Sequence, residues 1–398
     1  AMTGGQPVEG SPTVDAICHQ LAGEGVKTLI VVSDDVQQFA RERFPSAVRF
    51  YPREQLEEVQ LELRKTTGVS VLLYVQTCAA EKRRRRKRGR YPDPAKRLLI
   101  NEQVCEGCGD CNSASNCIAV TPVDTEWGRK RRIDQTACNK DYSCNDGFCP
   151  SFVTVVGGTL RQQSRIDTKK LQRLAQQLPE PGRALGSEDY NLLVTGVGGT
   201  GIVTVGAVIC MAAQLEGKAA SVLDFMGFAQ KGGAVISHVR LAQDPARLHQ
   251  VRIDRERADA LLACDLVVAN QQEPLETLRP DARVVASVDV MPTAELVLDA
   301  DKELNAWVRL QRVRSRVGRE RTDAEAFRYW AEQLIGSNLG ANIMQLGYAW
   351  QRGLVPVSGA ALERAIELNG VAVEANKHLF TLGRLLAAMP DVLRERVG

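Results

Sequence analysis

With 398 residues, 44% of them hydrophobic, the chain has material for two or three domains, each with its own core. A net charge of +3 gives no chain-wide nucleic-acid signature, and no apolar run reaches the roughly 18 residues of a membrane helix, so neither partner is expected. Eleven cysteines, an odd number gathered at metal-ligand spacings, suit a reducing compartment better than a disulfide framework, and the expected location is the cytoplasm.

The first 12 residues are rich in Gly and Pro and read as loop. Helix and strand patterns then alternate: helix from Val14 to Gly23, a buried strand from Val26 to Val32, helices from Val36 to Phe44 and Arg53 to Lys65, and an apolar strand from Val69 to Val75. Continuous apolar strands separated by helices imply a parallel sheet covered on both faces. Two or three strands make only part of such a domain, and the expectation is that its earlier strands lie upstream of Ala1.

Lys82 to Arg90 carries eight basic residues in nine. Such a run reads as a solvated connector that offsets nearby negative charge, as a docking patch for an acidic electron carrier, or as a nucleic-acid patch, although no aromatic platform accompanies it.

Seven of the eleven cysteines then fall within 45 residues. Cys105, Cys108 and Cys111 form a C-x2-C-x2-C turn, and Cys149 precedes Pro150. Two-residue spacers let successive thiolates curl round one face of an iron-sulfur cube, with Gly107 and Gly109 permitting the tight, partly left-handed backbone. The remote Cys-Pro supplies the fourth thiolate in ferredoxins, which assigns Cys105, Cys108, Cys111 and Cys149 to one [4Fe-4S] cluster. Zinc and plain thiols are the competing readings, but three cysteines at two-residue spacing crowd a single tetrahedral ion. Cys117, Cys138 and Cys144 remain as a candidate second site. They would need Cys78, Asp141 or Asp146 to complete it, or else they are structural thiols.

Residues 159 to 189 are polar and punctuated by Pro and Gly, and read as a linker. A strand from Asn191 runs into Gly196, Gly198, Gly199 and Gly201, a G-x-G-x-x-G turn that precedes a helix from Ile202 to Leu215. A strand from Ala220 to Leu223, ending in Asp224, comes next. This fits a dinucleotide fingerprint, and equally a close strand-to-helix turn that binds no nucleotide. Gly227 and Gly232-Gly233 bracket Gln230-Lys231. Further strands are predicted at Val235 to Leu241, Leu266 to Ala269 and Val284 to Val290. Beyond residue 300 the pattern is helical, at Ala324 to Ile335, Asn338 to Arg352, Gly359 to Leu368 and Val371 to Ala388. Gly340 and Gly347, seven apart on one face, predict close helix packing. The four histidines are isolated and read as surface or core residues.

Together these residues resemble the 2-oxoacid:ferredoxin oxidoreductases, most closely the large fused indolepyruvate form. The Gly196 to Gly201 turn, Gly227, Gly232-Gly233, Asn338-Leu339-Gly340 and Asn376 look like that family's gamma domain. The chain departs from the family at Thr200, where Gln is frequent. Val69 to Lys82 followed by the cysteine turn looks like the junction of its thiamine-diphosphate and ferredoxin domains. Ala1 to Gln6 is similar to the tail of the loop holding magnesium and diphosphate, which implies that Thr3, Gly4 and Gly5 touch thiamine diphosphate and that the acidic magnesium element lies before Ala1.

The implied fold class is α/β: the C-terminal part of a thiamine-diphosphate domain over 1–81, a basic connector over 82–98, a ferredoxin-like iron-sulfur domain over 99–158, a linker over 159–189, and over 190–390 a Rossmann-like gamma domain with a helical C-terminal part. The implied activity of the complete enzyme is oxidative decarboxylation of an aryl 2-oxoacid. Thiamine diphosphate and Mg2+ serve as cofactors, coenzyme A takes the acyl group, and electrons pass through [4Fe-4S] to ferredoxin. The implied partners are the N-terminal pyrimidine and thiamine-diphosphate domains, with a homodimeric assembly, and this portion alone would be inactive. Two other classes stay open: a nicotinamide-linked iron-sulfur oxidoreductase using Asp224, and a non-catalytic zinc-bearing interaction subunit.

Overall fold

The computed structural model describes residues 9–10, 12–158, 168–182, 185–226, 233–289, 299, 301–302 and 304–397. Thr3, Gly4, Gly5, Gly227 and Gly232 lie outside them. The chain divides into two units, one of Ala1–Pro94 with Asn139–Asp141, the other of Ala95–Cys138 with Tyr142–Gly398.

In the first unit, α1 (Val14–Gly23) starts at Thr13, whose hydroxyl accepts from the Ala16 amide. It is followed by β1 (Thr28–Ser33), β2 (Arg49–Pro52), α2 (Leu56–Arg64) and β3 (Ser70–Val75). The three strands are parallel, in the order β2-β1-β3, as the apolar runs predict. Alternation along β1 sends Leu29 and Val31 to one core with Cys18, and Ile30 and Val32 to another with Val59 of α2. The helix expected from Val36 to Phe44 is absent apart from one 3-10 turn at Arg41–Arg43. There Ser33, Asp35 and Gln38 hydrogen-bond locally, competing with a helical ladder.

The basic run is helical over most of its length, within α3 (Ala79–Lys87). Lys and Arg are good helix formers, and Glu81 holds Arg84 at 2.8 Å and Arg85 at 3.0 Å across single turns. Lys82 pairs with Asp34, while Arg86 donates to the Pro92 carbonyl and lies over the Tyr91 ring. Much of the run's charge therefore has intramolecular work.

The second unit opens with β4 (Lys96–Ile100), α4 (Asp110–Ser115), the hairpin β5 (Val120–Thr125) and β6 (Gly128–Ile133), and β7 (Phe152–Val156), which pairs antiparallel with β4. Next comes α5 (Thr168–Gln176), inside the predicted linker. Leu171, Ala175, Leu178 and Leu185 enter the main core, so this segment is more than a tether.

Then follow β8 (Tyr190–Val197), α6 (Ile202–Leu215), β9 (Ala219–Met226), β10 (Ala234–Ala242), β11 (Ala258–Ala263), α7 (Leu266–Ala269), α8 (Gln272–Thr277) and β12 (Leu278–Ser287). The chain continues through α9 (Ala306–Val317), β13 (Thr322–Glu325), α10 (Phe327–Ile335), α11 (Ala341–Gln351), α12 (Gly359–Asn369), α13 (Val373–Ala388) and α14 (Pro390–Val397).

Six strands form one sheet in the order β13-β12-β11-β8-β10-β9. Neighbours from β13 through β8 are parallel, and β10 runs antiparallel to both β8 and β9. One face packs on α5, α6, α11, α12 and α13, the other on α7 and α9. The sheet is thus mixed, with apolar cores on both sides.

Two further expectations in this unit were wrong. Leu266 to Ala269 is helix, started by Asp265, whose carboxylate accepts from the Val267 and Val268 amides, and the strand lies just before it at Ala258–Ala263. The stretch beyond residue 300 also holds a strand, β13. The expected close helix packing is present. A Cβ on Gly347 would stand 2.1 Å from the Phe380 carbonyl oxygen, and one on Gly383 would stand 1.9 Å from that of Met344, so α11 and α13 cross backbone to backbone. Among the described residues no helix is long and apolar enough to cross a membrane.

Candidate functional site: a cysteine-lined cavity

The β4–β7 pairing explains how distant cysteines meet. Ile100 stands opposite Phe152, and the Asn101 amide donates to the Ser151 carbonyl at 2.8 Å. The chain entering Cys105 is thereby held beside the chain leaving Cys149. The Asn101 carbonyl then accepts from the amides of Val104 and Cys105 and turns the chain into the cysteine loop. Gly107 and Gly109 take φ of +80° and +88°, in the left-handed region the spacing predicts. At Gly107 a Cβ would also lie 2.3 Å from the Arg129 carbonyl oxygen, so the loop closes against the hairpin only with glycine there.

The result is a cavity of about 310 Å³ whose wall includes Cys105, Cys108, Cys111, Cys144 and Cys149. Cys105 is buried, Cys111 and Cys144 are half-buried, and Cys108 and Cys149 are exposed at the rim. The Cys149 Sγ lies 3.0 Å from the Ser151 hydroxyl. Burial pushes the Cys111 thiol up to about 11, against the pull of the nearby Arg131 guanidinium. Phe148, 96% exposed, stands at the mouth, and Glu106, Asp110 and Asp146 also line it.

Of the three left-over cysteines, Cys144 joins this wall. Cys117 and Cys138 are not among its lining residues, and like Cys111 and Cys144 they pack against the small core of Leu98, Ile100, Cys105, Val120 and Ile133. Asp146 is on the wall, whereas Cys78 and Asp141 belong to the other unit. Among the described residues no group of three or more His, Cys, Asp or Glu side chains is placed to hold a metal ion. Thiols gathered on one wall are the donor chemistry that an iron-sulfur cluster takes and that a structural zinc ion takes as well.

Two buried polar residues behind the cysteines were not anticipated. Arg131 of β6, 1% exposed, lines the cavity and donates from Nε to the Asn112 Oδ1 at 3.0 Å. Asn112, next to Cys111, donates to the Val120 carbonyl at 2.9 Å. A signal existed in the sequence: strand alternation puts Arg131 on the same face as Ile133, which is buried.

The cysteine-bearing part is joined to the sheet part of the same unit through Asp134. Its carboxylate accepts from Asn338 Nδ2 at 2.8 Å and from an Arg328 guanidinium nitrogen at 3.1 Å, and the Thr136 hydroxyl lies 2.7 Å from both Asp134 and Asn338. Burial raises the Asp134 carboxyl's pKa, but the bonds from Asn338 and Thr136 and the Arg328 charge outweigh it and hold the group below its usual range.

The glycine-rich turn is organised differently. A Cβ on Gly196 would meet Ile202 at 2.3 Å, so that glycine serves the approach of β8 to α6. Gly199 and Gly201 are left-handed, and the Gly198 amide is spent on the Gly233 carbonyl at 2.7 Å. The Thr200 hydroxyl donates to the Val197 carbonyl, and Asn342 of α11 donates to the Thr200 carbonyl, each at 2.7 Å. Asp224 does not come to this turn. It sits on β9, opposite Ser237 of β10, which is opposite Val194 of β8, and it accepts from the Ser237 hydroxyl. Two strand spacings, about 10 Å, separate it from β8. In a dinucleotide fold the acid-bearing strand lies directly beside the first strand.

Asn338 reaches Asp134, and Asn376 donates to the Val371 carbonyl at 2.8 Å while its Oδ1 lies 3.6 Å from where a Gly340 Cβ would stand.

Residues 191–386 match the family described as pyruvate ferredoxin/flavodoxin oxidoreductase. The indolepyruvate oxidoreductase subunit IorB of Pyrococcus horikoshii is 25% identical over 201 residues, covering 49% of this chain and 95% of that protein. IorB of Thermococcus kodakarensis is 23% identical over 201 residues, with coverage of 49% and 95%. Among solved structures, the gamma subunit of a keto/oxoacid ferredoxin oxidoreductase from Geobacter sulfurreducens is 22% identical, covers 50% of this chain and 98% of that one, and has a TM-score of 0.35.

Proposed function

We propose, from the premise that residues 191–386 form a domain of the pyruvate ferredoxin/flavodoxin oxidoreductase family, that this chain is the electron-transfer and scaffold portion of an aryl 2-oxoacid:ferredoxin oxidoreductase. The observation that carries the reading is the cavity in which thiols from both ends of a 45-residue stretch share one wall. Indolepyruvate is the proposed substrate because two relatives with that name each align over 95% of their length. On this reading the second unit combines a ferredoxin-like part with a Rossmann-like gamma domain.

Cys105, Cys108, Cys111 and Cys149 would hold a [4Fe-4S] cluster, which supplies one-electron transfer at low potential. The chain's own contribution is positional. Gly107 and Gly109 allow three thiols to follow one another round the cavity, and the β4–β7 pairing delivers the fourth. Ile100 and Phe152 give the cavity apolar wall, while Cys108 and Cys149 at the rim leave an edge open to an electron acceptor, proposed to be ferredoxin.

Cys144 on the same wall stands as a reserve ligand, and Cys117 and Cys138 as structural thiols. Decarboxylation itself would belong to thiamine diphosphate and Mg2+ bound with the N-terminal domains of the complete, dimeric enzyme, with coenzyme A taking the acyl group. Thr3, Gly4 and Gly5 are proposed to touch the diphosphate.

Iron, zinc and acid-labile sulfide per chain, measured on anaerobically purified protein with an electron paramagnetic resonance spectrum after dithionite, test the reading. About four irons and four sulfides with a reduced-cubane signal are expected. Zinc without sulfide would overturn it in favour of an interaction subunit.

A further inference from the structure

A buried arginine lines the cavity of the cysteines. Among the described residues Arg131 is one of the largest side chains under 2% exposed, in company with Trp350 and Phe327, and it is the charged one of that group. It lines the same cavity as Cys105, Cys108 and Cys111 and is fixed there. Nε donates to Asn112 Oδ1 at 3.0 Å, Nη1 donates to the Lys130 carbonyl at 3.3 Å, and Asn112 is anchored in turn on the Val120 carbonyl.

A guanidinium cannot shed its charge, so its removal from water is sustained by polar contacts and by negative charge brought near it. Glu106, Asp110 and Asp146 line the same cavity, and neutral thiols add no charge to theirs. Four thiolates round an iron-sulfur core make a net anion, and one-electron reduction adds a further negative charge without forming a bond or moving a proton. A fixed cation in a low-dielectric wall stabilises the more negative state more strongly.

We infer that Arg131 is the fixed counter-charge of the cysteine cavity, a positioning residue held by Asn112 that raises the reduction potential of the group the thiols bind. The inference rests on the cluster reading proposed above.

The test is a redox titration followed by electron paramagnetic resonance on the anaerobically purified chain, with iron and sulfide measured on each sample. In Arg131→Gln the reduced-to-oxidised ratio at fixed potential is expected to fall about tenfold, a downward shift of about 59 mV for one electron. Arg131→Lys, which keeps the charge, should fall less. Asn112→Asp, which sets a carboxylate against the guanidinium at nearly constant shape, should shift the potential downward as well, and it carries the measurement if Arg131→Gln loads no iron.

A merely structural arginine would lower iron content and melting temperature yet leave the potential of the loaded fraction unchanged. That result in Arg131→Gln, or in Asn112→Asp where it stands in, overturns the inference while leaving the cluster reading intact. A wild-type chain without iron and sulfide removes both.

Discussion

Replacing Asp134 with Ala perturbs the joint between the cysteine-bearing part and the sheet part of the second unit. The carboxylate accepts two bonds from across that joint, from Asn338 and from Arg328, and side-chain exposure is only 9% on the Asp134 side. Hydrogen bonds to a charged group contribute about 1.5–3 kcal/mol each, and the Arg328 guanidinium is itself largely shielded, so truncation should cost about 3–5 kcal/mol.

The assay is urea unfolding of Asp134→Ala and Asn338→Ala, singly and together. The pair should be less destabilised than the sum of the singles, because each removes the same bond.

Acidity provides an independent check. The Asp134 carboxyl is held below its ordinary value of 3.8, so its stabilisation is fully present above that pH and disappears as pH falls through the lower, folded-state value. The deficit of the Ala variant against wild type should therefore be constant near neutrality and shrink only below about pH 4. A deficit under about 0.5 kcal/mol at pH 7, or strict additivity with Asn338→Ala, would refute the idea that this carboxylate fastens the joint.

At the crossing of α11 and α13, Gly347→Ala discriminates by sign. Helix propensity alone would stabilise by about 1 kcal/mol. The new methyl, about 1.3 Å inside contact distance of a carbonyl on a rigid helix, should instead destabilise by about 3 kcal/mol, read as a lower midpoint in thermal unfolding. For the glycine-rich turn, NADH titrated to millimolar concentration should give no saturable binding, with Asp224→Ala unchanged from wild type. Tight binding lost in that variant would restore a nucleotide role.

What the sequence disclosed depended on how local the cause was. The bounds of α1 and α6 were readable because their apolar periodicity, the Thr13 cap and the glycine turn lie within a few residues of each helix. Leu266 to Ala269 was misread because four apolar residues have no period to measure, and the capping Asp265 was the better clue. The insertion of β10 between β8 and β9 has no local signature. It arises from sheet pairing after the turn, and it is what separates Asp224 from the glycines.

The cysteine spacing foretold the left-handed glycines. It could not foretell that Cys144 would share the wall, or that Arg131, in a run of four basic residues, would be the one turned inward.

The antiparallel union of β4 with β7 also fixes an order of events. Residues 96–100 emerge from the ribosome 52 to 60 positions before their partners, and the intervening loop closes only after the later strand exists. Any group that needs thiols from both ends of the stretch therefore cannot be completed on a nascent chain that has not yet exposed Phe152–Val156. Until then Cys105, Cys108 and Cys111 are open to oxidants and stray metals, and prompt synthesis of the next few dozen residues is their protection.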